Sequence, residues 1–151
     1  MLRESYPLLD VEASTIFFFF SEGIKGKVPK VVIFSHKENN TWSLAFGDLT
    51  PQGVDVKVVS GNQDWVKVMN TVIKAVNTFT GTYPERLVYF KPVDEKRKIL
   101  FNRIIQKRKE EIEEVYLIRG VEEEKEVPYQ AGKLYAAFVL QQKFVTFKTK
   151  S

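Results

Sequence analysis

The chain has 151 residues, 44% of them hydrophobic and 28% charged, with a formal net charge of +4, which reads as one soluble globular domain over residues 1–151. At this length roughly 68–70% of the unfolded surface can be buried, enough for a core without staples. The absence of cysteine excludes disulfides, thiolate metal sites and a cysteine nucleophile, and nothing resembles a signal peptide or the ~20 apolar residues of a membrane span, so the expectation is an unprocessed cytoplasmic protein without a membrane partner.

Residues 15–20 end in four consecutive phenylalanines, a run too uninterrupted for a half-exposed strand and expected to form a central strand covered on both faces. Residues 21–27, with Gly23 and Gly26, read as a turn. Residues 28–35 form the second predicted strand, with Pro29 near its start, where a missing N–H is tolerated. After Asn39 and Asn40, Trp42, Leu44 and Phe46 alternate with Thr41, Ser43 and Ala45, a third strand with one core face. A fourth places Val54, Val56 and Val58 opposite Asp55 and Lys57. The short connections favour an antiparallel meander.

A helix is expected from Asp64, as N-cap, to Gly81, with Pro84 just beyond. Trp65, Val66, Val68, Met69, Val72, Ile73, Ala75, Val76 and Phe79 fill one half of its wheel, while Lys67, Asn70, Thr71, Lys74, Asn77 and Thr78 fill the other. Residues 87–90 read as a strand, and Asp94 caps a second helix over residues 95–113. Glu110 to Glu114 oppose that helix's dipole, so its last turns are the weaker part. Residues 115–119 and 134–141 are the last predicted strands, with residues 122–126 an exposed loop.

Charge is sorted along the chain. Residues 91–109 hold eight basic and two acidic side chains, and residues 110–126 hold two basic and eight acidic ones. On the second helix, Ile99, Leu100, Phe101, Ile104, Ile105 and Ile112 define an apolar arc with Arg97 near its middle. A buried guanidinium needs a carboxylate, an anion or several carbonyls. Either Arg97 leans past the sheet edge or pairs with Asp48, Asp55 or Asp64, or it holds an anion such as phosphate. Lys96, Arg103 and Lys107 form a separate outer stripe, which is either a solvated helix face or a contact surface for a phosphate backbone.

Catalytic motifs are scarce. His36 is the only histidine and sits at a strand end, so no triad, dyad or zinc site can be assembled around it. Gly26-Lys27 lacks the spacing and following hydroxyl of a phosphate-binding loop. Asp48, Asp55 and Asp64 could converge on magnesium, although turn formation and helix capping account for Asp48 and Asp64. No cofactor is expected.

Tyr6 to Leu8, the Phe-rich strand entering Ser21-Glu22-Gly23, the Phe46-Gly47-Asp48 turn, Asn62 and Asp64 before Val68 and Thr71-Val72, and Phe79, Tyr83 and Pro84 together resemble a bacterial family, mainly from Bacteroidetes, classed as a domain of unknown function. The resemblance continues through Arg97, Leu100, Phe101 and Ile105 to Gly132, Tyr135, Phe138 and Lys143. Pro92 and Val93 stand where that family favours Gly and Ser, and Ile99 and Asn102 replace expected arginines. The likeness implies a fold and no activity. More loosely, the ββββα order is similar to the PUR-alpha and Whirly-type binders of single-stranded nucleic acid, in which bases stack on aromatic rings while cations track phosphates.

The sequence therefore predicts an α+β domain in the order ββββα-β-α-ββ, with a twisted, mainly antiparallel sheet, two helices packed on one face and the other face partly open. The functional expectation is a non-enzymatic module that binds single-stranded nucleic acid through sheet aromatics and Lys96, Arg97, Arg103 and Lys107. The alternative is a protein-interaction or homodimerisation module, such as one member of a two-gene regulatory pair.

Overall fold

The computed structural model describes residues 4–56 and 64–143. Its elements are β1 (Leu9–Glu12), β2 (Ile16–Gly23), β3 (Gly26–Glu38), β4 (Thr41–Thr50), β5 (Gly53–Asp55), α1 (Trp65–Thr82), β6 (Leu87–Phe90), α2 (Glu95–Lys107), α3 (Lys109–Glu113), β7 (Tyr116–Glu122), β8 (Lys125–Pro128) and β9 (Ala137–Gln142). The protein is α+β, with strand order β1-β2-β3-β4-β6-β9-β7-β8 and β5 paired to β4. The pairings are mainly antiparallel. The meander ends at β4, which pairs with β6 in parallel. The chain divides into two units, Met1–Ser35 with Leu44–Thr82 and His36–Ser43 with Tyr83–Ser151.

In the first unit the phenylalanine run alternates instead of being covered on both faces. Phe17 and Phe19 are buried, whereas Phe18 is half-buried and Phe20 is 44% exposed. The period-two geometry of a strand divides any unbroken apolar run between two environments. Strand β2 continues to Gly23, which pairs with Gly26, so the predicted turn is much shorter. Phe34 stacks on Phe79 of α1 at 4.1 Å between ring centroids, and Phe17 meets Phe34 edge-on. Val68, Ala75 and Phe79 are nearly inaccessible, so α1 buries the expected stripe, except that Val66 is 62% exposed.

Strand β1 alternates Leu9 and Val11 with Asp10 and Glu12, yet all four of its residues are exposed. It is held by its turn, where Ala13 and Ser14 have positive φ and the Asp10 carboxylate accepts from the Ser14 amide and hydroxyl at 2.8 and 2.7 Å. The fourth predicted strand is reduced to β5, where Val54 is exposed. Val58 lies outside the described residues. Strand β4 is half-buried along most of its length, without the expected alternation. Lys30 is buried and pairs with Asp48, so Asp48 is committed to an ion pair within the fold.

In the second unit, Phe90 of β6 meets Phe101 of α2 edge-on at 5.0 Å. Ile118, Tyr135 and Phe138 form a buried cluster beside Ile105 and Ile112. The predicted long helix breaks at Arg108, with φ −105° and ψ 18°. The break has an electrostatic cause: it turns Glu110 and Glu111 from the unfavourable C-terminal end of one helix into the favourable first turn of α3. The predicted loop at residues 122–126 is instead a hairpin. Glu122 pairs with Lys125, and Glu123 and Glu124 both have positive φ, at 48° and 67°, as a two-residue type I′ turn requires.

Candidate functional site

Helix α2 carries the sequence-predicted residues. Its start is set by Asp94, whose carboxylate accepts from the Arg97 amide at 2.9 Å, as a helix cap should. The other carboxylate oxygen accepts from Arg97 Nη1 at 2.8 Å. Arg97 is therefore turned onto its own cap, and the partners anticipated at Asp48, Asp55 or Asp64 are replaced by Asp94. Local spacing explains the choice, since residues three apart on a helix are neighbours.

The buried face of α2 also differs from the predicted arc. Phe101 and Asn102 are buried, while Ile99 is 42% exposed. Asn102 donates to the Tyr135 carbonyl at 2.9 Å and accepts from the Tyr135 amide at 2.8 Å. One side-chain amide thus satisfies both backbone groups of a residue in the segment entering β9. Substitution of Asn102 for the arginine expected by family resemblance has a structural use.

The cations of this region fall into two sets. Arg97 pairs with Asp94, Lys98 approaches Glu95 at 4.0 Å, Arg108 pairs with Glu111, and Lys109 with Glu113. Lys96, Arg103 and Lys107 are exposed, and among the described residues none of the three forms an ion pair. Separations of seven and four residues keep them on one helix face, about 10 Å and about 6 Å apart along the axis. The structure thus brings these three together and sets Arg97 apart. The stripe offers fixed positive charge on an exposed helix face.

Aromatic residues are less available than the sequence reading anticipated. Among the described residues Phe20 is the one exposed aromatic; Phe18 packs edge-on against it at 5.1 Å. In the second unit, Arg86 lies 4.0 Å from the Trp42 ring centroid and 3.6 Å from that of Tyr83. His36 packs edge-on against Trp42, and its Nε2 lies 2.9 Å from the Asn39 carbonyl oxygen. These half-buried rings already have cationic or aromatic neighbours.

A polar network in the first unit escaped sequence reasoning. The Tyr6 amide donates to Thr71 Oγ1 at 2.8 Å, Asn70 donates to the Glu4 carbonyl, and Lys74 Nζ donates to the Tyr6 carbonyl. The Tyr6 hydroxyl lies 2.5 Å from Asp64 Oδ2 and 2.9 Å from the Glu22 carbonyl oxygen, and it accepts from the Glu22 amide. Ser21 also donates to Asp64 Oδ2. Asp64 therefore begins α1 through its carbonyl, which accepts from the Val68 amide, while its carboxylate serves Tyr6 and Ser21. With Asp48 and Asp64 so engaged, the three aspartates do not act as a common cation site. The available signal was Asn70 and Thr71 on the polar half of the wheel, where the N-terminal segment docks.

Burial and the hydrogen bond to Asp64 raise the Tyr6 phenol above its ordinary pKa, outweighing the opposing influence of the Glu22 backbone and Ser21. The Tyr129 phenol is also raised, chiefly by burial.

Fold and site together define an α+β protein with a mainly antiparallel sheet, nine-stranded among the described residues, and a helix bearing a row of exposed cations. The chain belongs to a family of unknown function, DUF6934, whose model matches residues 2–143. No curated protein and no solved structure matches the chain. Among the described residues, no helix is long and apolar enough to cross a membrane.

Proposed function

We propose that the protein is a non-enzymatic module that binds single-stranded nucleic acid in the cytoplasm, with the exposed face of α2 following the phosphate backbone. The observation that supports this reading is the separation of the cations: Arg97, Lys98, Arg108 and Lys109 are balanced by nearby carboxylates, whereas Lys96, Arg103 and Lys107 share an exposed face without an ion pair among the described residues. Phosphates are the natural counter-charge for such a row. Arg97 contributes indirectly by fixing the first turn through Asp94.

The test is fluorescence polarisation against labelled single-stranded DNA, single-stranded RNA and duplex DNA at low and physiological salt. Three neutralised phosphates should give a log–log salt slope of about −2 for a single strand. Combined substitution Lys96→Glu, Arg103→Glu and Lys107→Glu should abolish binding. Lack of binding at low salt, or survival of binding in the triple variant, would overturn the reading.

A second reading has its own support. Leu9 and Val11 of the outermost strand β1 are 59% and 49% exposed, which suits a protein-interaction or oligomerisation module that packs an apolar surface against this face of the strand. Binding by that route should be much less sensitive to salt than binding to nucleic acid.

A further inference from the structure

The second unit contains a cleft of 400 Å³ whose lining includes Lys37, Tyr89, Lys91, Ala137, Glu124 and Glu126. Its construction follows from strand register. Ala137 of β9 is paired with Val121 of β7, and Val121 with Glu126 of β8, so these side chains point to the same face of the sheet. Phe90 and Phe138 are partners on adjacent strands and belong to the opposite face, where Phe90 meets α2. Lys91 follows Phe90 in the chain, and Ala137 precedes Phe138.

The small side chain of Ala137 leaves a trough between two walls. On one side are Lys37, Glu38, Tyr89 and Lys91, whose two ammonium groups outweigh the one carboxylate, with the Lys37 ammonium 4.8 Å from the Tyr89 ring centroid. On the other are Glu124 and Glu126, presented by the β7–β8 hairpin. Among the described residues, none of these lysines and glutamates forms an ion pair. Strand order supplies the reason. Three inter-strand steps separate β6 from β8, about 14 Å between backbones, so the charged ends face each other across the trough without meeting.

We propose that this cleft binds a small zwitterion, its anionic group directed to Lys37 and Lys91 and its ammonium to Glu124 and Glu126. A short peptide or an ω-amino acid has the required chemistry: two opposite charges separated by a short, flexible or amide-linked span. Its volume falls within the range of about 300–1,000 Å³ found for ligand sites, but its charged walls select a polar occupant. Opposite formal charges at the two ends also fix the ligand's direction. No cleft residue lies on α2, so this inference stands apart from the nucleic-acid reading.

The test is an amide ¹H–¹⁵N NMR titration of the full chain with alanylalanine and 6-aminohexanoate, alongside N-acetyl-alanylalanine and alanylalanine amide, each up to about 10 mM, the weak-affinity regime in which a small polar ligand is detectable. The zwitterions should shift amides at Tyr89, Lys91, Glu126 and Ala137, and both singly charged peptides should bind roughly tenfold more weakly, the loss of one charge-assisted contact. Lys91→Met and Glu126→Gln should each produce a similar loss while leaving the remaining spectrum in place. The proposal is overturned if neither zwitterion shifts cleft amides, if a singly charged analogue binds as tightly, or if inorganic phosphate alone reproduces the shifts. Binding of a single-stranded oligonucleotide to α2 with an unchanged cleft would leave the two readings cleanly separated.

Discussion

Two single residues carry unusual structural weight. Asn102 closes both backbone groups of Tyr135, so Asn102→Leu leaves a buried amide and carbonyl without partners. The expected loss is about 2–4 kcal/mol, read as a lower urea midpoint. Tyr6 offers a pH test. Its folded pKa is raised, so its contribution to stability is complete below the ordinary tyrosine value near 10 and declines as pH rises through the folded value. Tyr6→Phe should cost about 1–3 kcal/mol at neutral pH and flatten the alkaline fall in stability measured by urea unfolding. Neither role could be read from the wheel or the strand pattern, because each depends on a partner distant in sequence. Asp94 was legible for the opposite reason: its capping partner is three residues away.

Elements governed by strong periodicity were the legible ones. The α1 stripe and the strand Leu87–Phe90 are found where the sequence placed them, whereas the structure adds β1 and turns the expected loop at residues 122–126 into the β7–β8 hairpin. Strand β1 presents four exposed residues, and the hairpin turns on two glutamates instead of Asn-Gly. Turn chemistry was overridden there by pairing on both sides. Glu123→Asn combined with Glu124→Gly should relieve the left-handed strain and raise stability by about 1 kcal/mol, measured from the urea midpoint. The same double change removes one carboxylate from the cleft, so greater stability and weaker zwitterion binding should appear together. The predicted α2 stripe was legible because four- and seven-residue spacings suffice to place it. The cleft was not, since its walls come from six strands and a hairpin turn.

For the whole molecule, the informative fact is that the second unit is discontinuous in sequence. Residues His36–Ser43 belong with Tyr83–Ser151, and Thr41, Trp42 and Ser43 supply the parallel partners of Leu87, Val88 and Tyr89. Trp42 also stacks with Arg86. Residues 83–151 expressed alone should therefore lack a dispersed amide spectrum and a cooperative urea transition; a well-dispersed spectrum would show that the 36–43 hairpin is dispensable. The order of the strands has another consequence at the margin of the sheet. Strand β1 ends the ladder with Asp10 and Glu12 exposed, and like charges discourage another chain from adding to an open edge. The Ser14 hydroxyl and amide hold the Asp10 carboxyl below the ordinary aspartate value, so this electrostatic guard persists further into acid. Colloidal stability is thereby tied to a two-residue turn, Ala13-Ser14, that sets the charge of the sheet edge through the Asp10 carboxylate.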